Sequence, residues 1–162
     1  MRVREASAGE APVLEALQRR SSAVWEAYRE QLAAHPDAIE LPESFIEQGW
    51  VRVAVDGDET PLGFSVVIPT DDSVHELDGL FVAPEHMYRG IGRALVEDGA
   101  ARAADRGATC LEVTAGPAAG FYEKLGFAVI SEAQTRFGPA VRMRRDLPRV
   151  GEASPCAGPR QS

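Results

Sequence analysis

Residues 74–115 read VHELDGLFVAPEHMYRGIGRALVEDGAARAADRGATCLEVTA, and this stretch decides the architecture. Residues 74–83 are a strand, residues 91–106 an amphipathic helix stopped at Gly107, and residues 109–114 a strand again. The result is one parallel strand-helix-strand unit. Its connecting loop, PEHMYRGIGRAL, sets Gly90 and Gly92 beside Arg89 and Arg93 at the mouth of the helix. Glycines there let backbone N–H groups turn toward one point, and the helix adds its positive end, so the loop can cradle a pyrophosphate. The competing reading is that the two glycines only permit a tight entry to the helix.

Upstream, VREA near the start is a short strand. Ser7-Ala-Gly-Glu10 resembles a capping box that opens a helix running to about Arg20. A second helical stretch covers residues 21–34, where Val24, Tyr28 and Leu32 recur every four residues with Trp25 alongside, and His35-Pro36-Asp37 breaks it. After a short helical turn over 42–48, strands at 50–55 and 62–68 flank the turn signal Asp56-Gly57-Asp58. Downstream, residues 117–125 form a short helix ended by Gly126, and strands follow at 127–132 and 140–146. The predicted class is α/β, a mixed sheet of about seven strands flanked by about four helices. Residues 1–147 read as one domain, and the Gly, Pro, Ser and Ala content of residues 148–162 predicts a flexible tail.

Charge and composition narrow the function. With 17 basic residues against 25 acidic ones and a net charge of −8, a general nucleic-acid binder is disfavoured, whereas a small cationic substrate suits the sign. No apolar run approaches the ~18 residues a membrane span needs and the start has no signal-peptide core, which predicts a cytoplasmic protein without a membrane partner. Cys110 and Cys156 make no C-x-x-C, and His35, His75 and His86 form no ligand pattern, so no metal site is expected. A dinucleotide fold is the obvious competitor, with Glu112 at the right distance for a ribose. It fails because Leu95 stands where the third glycine belongs, seven residues (83–89) separate strand from turn, and only one parallel unit exists.

The run FVAPEHMYRGIGRALVEDGAARAADRGA (81–108), followed by LEVTAGPAAGFYEKLGF (111–127), resembles the acyl-CoA-binding core of the GNAT superfamily of N-acetyltransferases. That family's first motif is usually written Q/R-x-x-G-x-G/A, matched by Gly90 and Gly92. Its second ends in F-Y-x-x-x-G-F, matched by Phe121, Tyr122, Gly126 and Phe127. Met87 replaces the usual Gln or Arg, Tyr88 a small or basic residue, and Ala115 a common Asn. The resemblance implies acetyl-CoA as cosubstrate, with Met87, Tyr88, Arg89, Gly90, Ile91, Gly92 and Arg93 at the pyrophosphate. It also implies that the main chain of Leu80, Phe81 and Val82 lies along the pantetheine arm, with Ala115 and Phe121 nearby.

Acetyl transfer to an amine requires a neutral nucleophile, a polarised thioester carbonyl and a partner for the departing thiolate. In VHELDGLFVA, alternation puts Glu76, Asp78, Leu80 and Val82 on one face, with the two carboxylates ~7 Å apart along the strand. Either would accept the ammonium proton. Like charges this close raise one pKa, which suits a base acting on an amine of pKa ~10. The resemblance favours Glu76 as base with Asp78 in reserve, and it gives Tyr122 the role of acid toward the thiolate. The bland alternatives are solvated or substrate-orienting carboxylates and an aromatic pair packed behind the sheet.

On the acceptor side, the resemblance brings in Trp25, Tyr28, Arg29 and His35 by position, although the spacing of Trp25 and Tyr28 is that of a buried helical face. His75 alternates with Glu76 and so points away from the chemistry, while His86 lies beside the loop. The expected function is direct acetyl transfer from acetyl-CoA to a primary amine of a small molecule in a ternary complex. The alternatives are a protein lysine or N-terminal acetyltransferase and a non-catalytic acyl-CoA-binding module. Homodimerisation through the last strands is a further option.

Overall fold

A computed structural model of the chain describes residues 1–35, 39–135, 138–149 and 152–153. Strands β1 (Arg2–Glu5), β2 (Val51–Val55), β3 (Pro61–Pro69), β4 (Val74–Val82), β5 (Cys110–Ala115), β6 (Ala128–Thr135) and β7 (Gly138–Asp146) form one mixed sheet in the order β1-β2-β3-β4-β5-β7-β6. Among the described residues the helices are α1 (Ala11–Ser22), α2 (Glu26–Ala34), α3 (Glu43–Glu47), α4 (Ile91–Asp105) and α5 (Ala119–Lys124), with α3 at the short helical turn expected over 42–48. By contact density the residues group into two units, Met1–Val66 with Gly79–Asp98, and Val67–Asp78 with Gly99–Ser162.

In the first unit β1 and β2 pair antiparallel from Arg2↔Val55 to Glu5↔Arg52, and β2 continues antiparallel onto β3. All five residues of β2 are buried, so this strand is covered on both faces. On the α4 side, Ile91 and Leu95, four residues apart, pack on Ala54 and Leu62 with Leu80 and Val82 against them. The Ala83 N–H donates to the Leu62 carbonyl at 2.8 Å and fixes where β4 leaves the sheet. Half of the expected capping box is present. The Glu10 carboxylate accepts the Ser7 N–H at 2.7 Å, and the helix proper begins one residue later, at Ala11.

The second helical stretch differs from the expectation. Helix α1 runs on to Ser22, and turn bonds from the Val24 N–H to Ser21 and from the Trp25 N–H to Ser22 separate it from α2. Val24 and Trp25 fall in that turn and are 49% and 41% exposed, so neither lies on the buried helical face that their spacing predicts. Among the described side chains of the repeat Leu32 is buried, and the side chain of Tyr28 lies outside the described residues, as do Pro36 and Asp37.

In the second unit β4 pairs parallel with β5 from Val74↔Cys110 to Leu77↔Val113, β5 pairs antiparallel with β7, and β7 with β6. Asp71 accepts the N–H groups of Ser73 and Val74, and the Thr109 N–H donates to the Ser73 carbonyl at 2.7 Å, which aligns the starts of the two parallel strands. Gly107, at φ 92°, ends α4 as its sequence position predicts. In the tail, Pro148–Arg149 (β8) pairs antiparallel with Glu152–Ala153 (β9), and Cys156 lies outside the described residues.

Candidate active site

The sequence-predicted residues fall in both units, with Leu80, Phe81, Val82 and Met87 to Arg93 in the first and Glu76, Asp78, Ala115, Phe121 and Tyr122 in the second.

In the first unit β4 ends at Val82, a short 3₁₀ turn spans Pro84–His86, and α4 begins at Ile91. Gly90 has φ 83°, where a side chain is strained, and a Cβ there would meet nothing within 4 Å. Its carbonyl accepts the first intrahelical bond, from the Ala94 N–H, so the donors of the first helical turn face outward from the helix end. Tyr88 also has positive φ, 64°, and its ring is fully exposed. Arg89 and Arg93 are exposed, and Met87 and His86 are half-buried. The loop is tied back to α1 by a two-toothed ion pair from Arg20 to Glu85 at 2.9 and 3.0 Å. Helix α1 also supplies the buried Ser21, whose hydroxyl accepts the Val82 N–H at 3.3 Å. Nothing in the sequence marks that serine.

In the second unit the pleat sorts the side chains cleanly. His75 and Leu77 are buried, and burial, followed by the Arg106 charge, holds the His75 imidazole below its ordinary pKa. The opposite face carries Glu76 and Asp78 from β4, Glu112 and Thr114 from β5, and Arg142 and Arg144 from β7. The register sets Glu76 beside Glu112, Glu112 beside Arg144, and Thr114 beside Arg142. Arg142 Nη1 donates to Glu76 Oε2 at 3.2 Å and to Thr114 Oγ1 at 2.5 Å, and its Nη2 donates to Glu112 Oε1 at 2.7 Å. Arg144 donates from Nε and Nη2 to Glu112 Oε2 at 2.9 and 2.7 Å.

Asp78 stands at the end of this row. Its carboxyl is held above the usual aspartate range, first because neighbouring protein strips water from it and second because the Glu76 carboxylate repels its charge, although the residue as a whole is exposed. Asp146, opposite Cys110, lies at the far end of the same face, so four carboxylates and two guanidiniums share it, with Asp78 at its β4 end.

Tyr122 is 7% exposed, with edge-to-face rings on either side, Phe121 at 5.1 Å and Phe127 at 5.5 Å. Gly126, at φ 92°, ends the helix that carries it and lets Phe127 turn back beneath the ring. Ala115 is buried at the end of β5, and Phe121 is 36% exposed. Arg29 and His35, which the sequence reading expects on the acceptor side, are exposed. The arginines Arg142 and Arg144 escape a motif-based reading. Their signal is the alternation Val141-Arg142-Met143-Arg144, which sets two cations on one face of a strand.

Residues 47–129 match the family model described as acetyltransferase (GNAT) domain. Two similar proteins are the peptidyl-lysine N-acetyltransferases YjaB of Escherichia coli (strain K12), 32% identical over 95 residues, and of Salmonella typhimurium (strain LT2), 31% identical over 108 residues. These alignments cover 59% and 67% of the chain and 60% and 66% of the respective relatives, so the chain spans less than two thirds of either. Among solved structures, the PaiA N-acetyltransferase of Thermoplasma acidophilum in complex with coenzyme A superposes with a TM-score of 0.74 at 20% identity, over 90% of this chain and 98% of that one.

Proposed function

Because this chain belongs to the GNAT acetyltransferase family, we propose that it transfers an acetyl group from acetyl-CoA to a primary amine, directly and within a ternary complex. The observation that carries the reading is the polar face of β4, β5 and β7, where Glu76 and Glu112 are ion-paired and Asp78 is held toward its protonated form. A general base needs a pKa near the working pH and an unengaged carboxylate, so Asp78 takes the role and Glu76 shapes its field. Acetyl-CoA supplies the acyl group as a thioester. The outward donors at the start of α4, the open cradle at Gly90 and the cations Arg89 and Arg93 fit its anionic pyrophosphate. In this reading the main chain of Leu80 to Val82 accompanies the pantetheine arm, and the Ser21 hydroxyl presets Val82. Asp78 receives the ammonium proton, and Tyr122 hydrogen-bonds or protonates the departing thiolate.

The acceptor is a primary amine. That both similar proteins are peptidyl-lysine N-acetyltransferases favours the ε-amine of a protein lysine over a free small amine.

The test is steady-state kinetics with acetyl-CoA against lysine peptides and a panel of small amines, followed by thiol release. For the wild type, kcat/KM rises with pH through the raised Asp78 value and then levels, because the base must be ionised. Asp78→Asn lowers kcat/KM by about 10²-fold and abolishes that acidic limb. Tyr122→Phe lowers kcat at least about tenfold and leaves CoA affinity within about twofold. Unchanged turnover in either variant removes that residue from its role. Tight CoA binding without turnover on any amine would instead support a non-catalytic acyl-CoA-binding module.

A further inference from the structure

We propose that Arg142 is a positioning residue that locks Glu76 and Glu112 into one neutralised cluster, so that Asp78 alone is left to take the acceptor's proton. This rests on the assignment of Asp78 as base. Arg142 lies in β7, outside residues 47–129 that match the family model, whereas Glu76, Glu112 and Thr114 lie within them.

The geometry is that of a bridge. One guanidinium reaches carboxylates on two other strands, Glu76 on β4 and Glu112 on β5, and takes the Thr114 hydroxyl as a third acceptor. A planar fork can meet three acceptors at fixed angles, which a lysine ammonium on a flexible stem cannot reproduce. Arg144 secures the far side of Glu112, which holds Glu112 in place for Arg142. Every member is partly buried, with Glu112 at 12% and Arg142 at 25% of side-chain exposure, so their charges are less screened than on an open surface.

The consequence follows from the pleat. Glu76 and Asp78 are two residues apart on one face, so a Glu76 released from Arg142 would hold a full negative charge about 7 Å from the base and would compete for the substrate's ammonium. The charged groups on this face are Glu76 and Asp78 from β4, Glu112 from β5 and Arg142, Arg144 and Asp146 from β7, with Asp146 at the far end, opposite Cys110. The segment 67–69 of β3 has no titratable side chain, and Glu132 on β6 pairs with Val141, on the other face. Arg106, at the end of α4, acts on His75, also on the opposite face.

Two substitutions should therefore move the acidic limb in opposite directions. Arg142→Met bares Glu76 and raises the limb of kcat/KM by about 0.5–1 pH unit, which lowers kcat/KM roughly three- to tenfold below it. Glu76→Gln removes the repelling charge and lowers the limb, and the double variant Arg142→Met/Glu76→Gln returns it near the wild-type position. Arg142→Lys gives an intermediate position and guards against misfolding of the methionine variant. The four variants and the wild type are titrated without substrate by following the Asp78 carboxyl carbon by NMR, which reads the shift whether or not any amine is acetylated. A carboxyl that titrates alike in Arg142→Met and wild type, or a double variant that does not restore it, overturns the proposal. Opposed shifts at Asp78 with no effect of Asp78→Asn on turnover would uphold the charge bridge and overturn Asp78 as base.

Discussion

At β3, Gly63 has no room for a side chain. A Cβ there would lie 2.6 Å from the Phe81 carbonyl oxygen and 3.3 Å from Leu95, and the first contact is backbone that cannot swing aside. The glycine thus sets how closely β3 approaches the part of β4 that the acyl arm is proposed to follow. Gly63→Ala should lower stability by about 1–3 kcal/mol, read as a lower urea midpoint at unchanged slope. An alanine variant with the wild-type midpoint would show that the two strands separate at no cost. The same scale explains what reading residues one at a time cannot reach. Alternation along VHELDGLFVA correctly separates His75 from the face of Glu76 and Asp78. It cannot rank the two carboxylates, because what distinguishes them is Arg142, 66 residues further on. Ser21 is hidden for the same reason, since its partner, the Val82 N–H, is 61 residues away.

Elements whose ends are marked by local chemistry were legible from the chain. The β4-α4-β5 unit stands where strand alternation, the Gly90 entry and the Gly107 stop place it, because each signal acts within a few residues. The break between α1 and α2 has no local mark because residues 21–25 suit a helix, and the chain turns there in a way that leaves Trp25 exposed and brings Ser21 to β4. Strand β2 is a further case, since its fully buried run includes a charge. Arg52 is 8% exposed and donates to Asp98 of α4 at 2.9 and 3.2 Å, a bidentate pair that joins helix to sheet. Removing one partner leaves a buried charge, whereas replacing both with apolar residues removes two desolvation costs. Asp98→Ala should therefore destabilise by about 3 kcal/mol, and Arg52→Met/Asp98→Leu by much less. Equal losses in the single and double variants, measured by denaturant unfolding, would mean that packing and not charge pairing dominates the contact.

For the molecule as a whole, net charge and the proposed ligand have the same sign. A chain of charge −8 repels an anionic cofactor at long range, so affinity for acetyl-CoA must come from short-range donors at the start of α4 and from Arg89 and Arg93. Any ligand that binds the folded state alone stabilises it by mass action, about 2.7 kcal/mol at a hundredfold excess over Kd. For a chain of this length each kcal/mol corresponds to about 2–4 °C in Tm, so saturating acetyl-CoA or CoA should raise Tm by about 5–10 °C. NAD carries a pyrophosphate too, but it lacks a pantetheine arm to follow β4 and should give little shift. Raised salt should weaken CoA binding only modestly in this picture, because the oriented backbone donors of a helix end are screened less than surface charges. Differential scanning calorimetry with the three ligands in parallel checks this without an assumed acceptor. Equal shifts with NAD and CoA would reduce the loop to a general pyrophosphate cradle. No shift with CoA would mean that Met87, Tyr88 and Ala115 have dismantled the site and would remove the basis of the acetyltransferase reading.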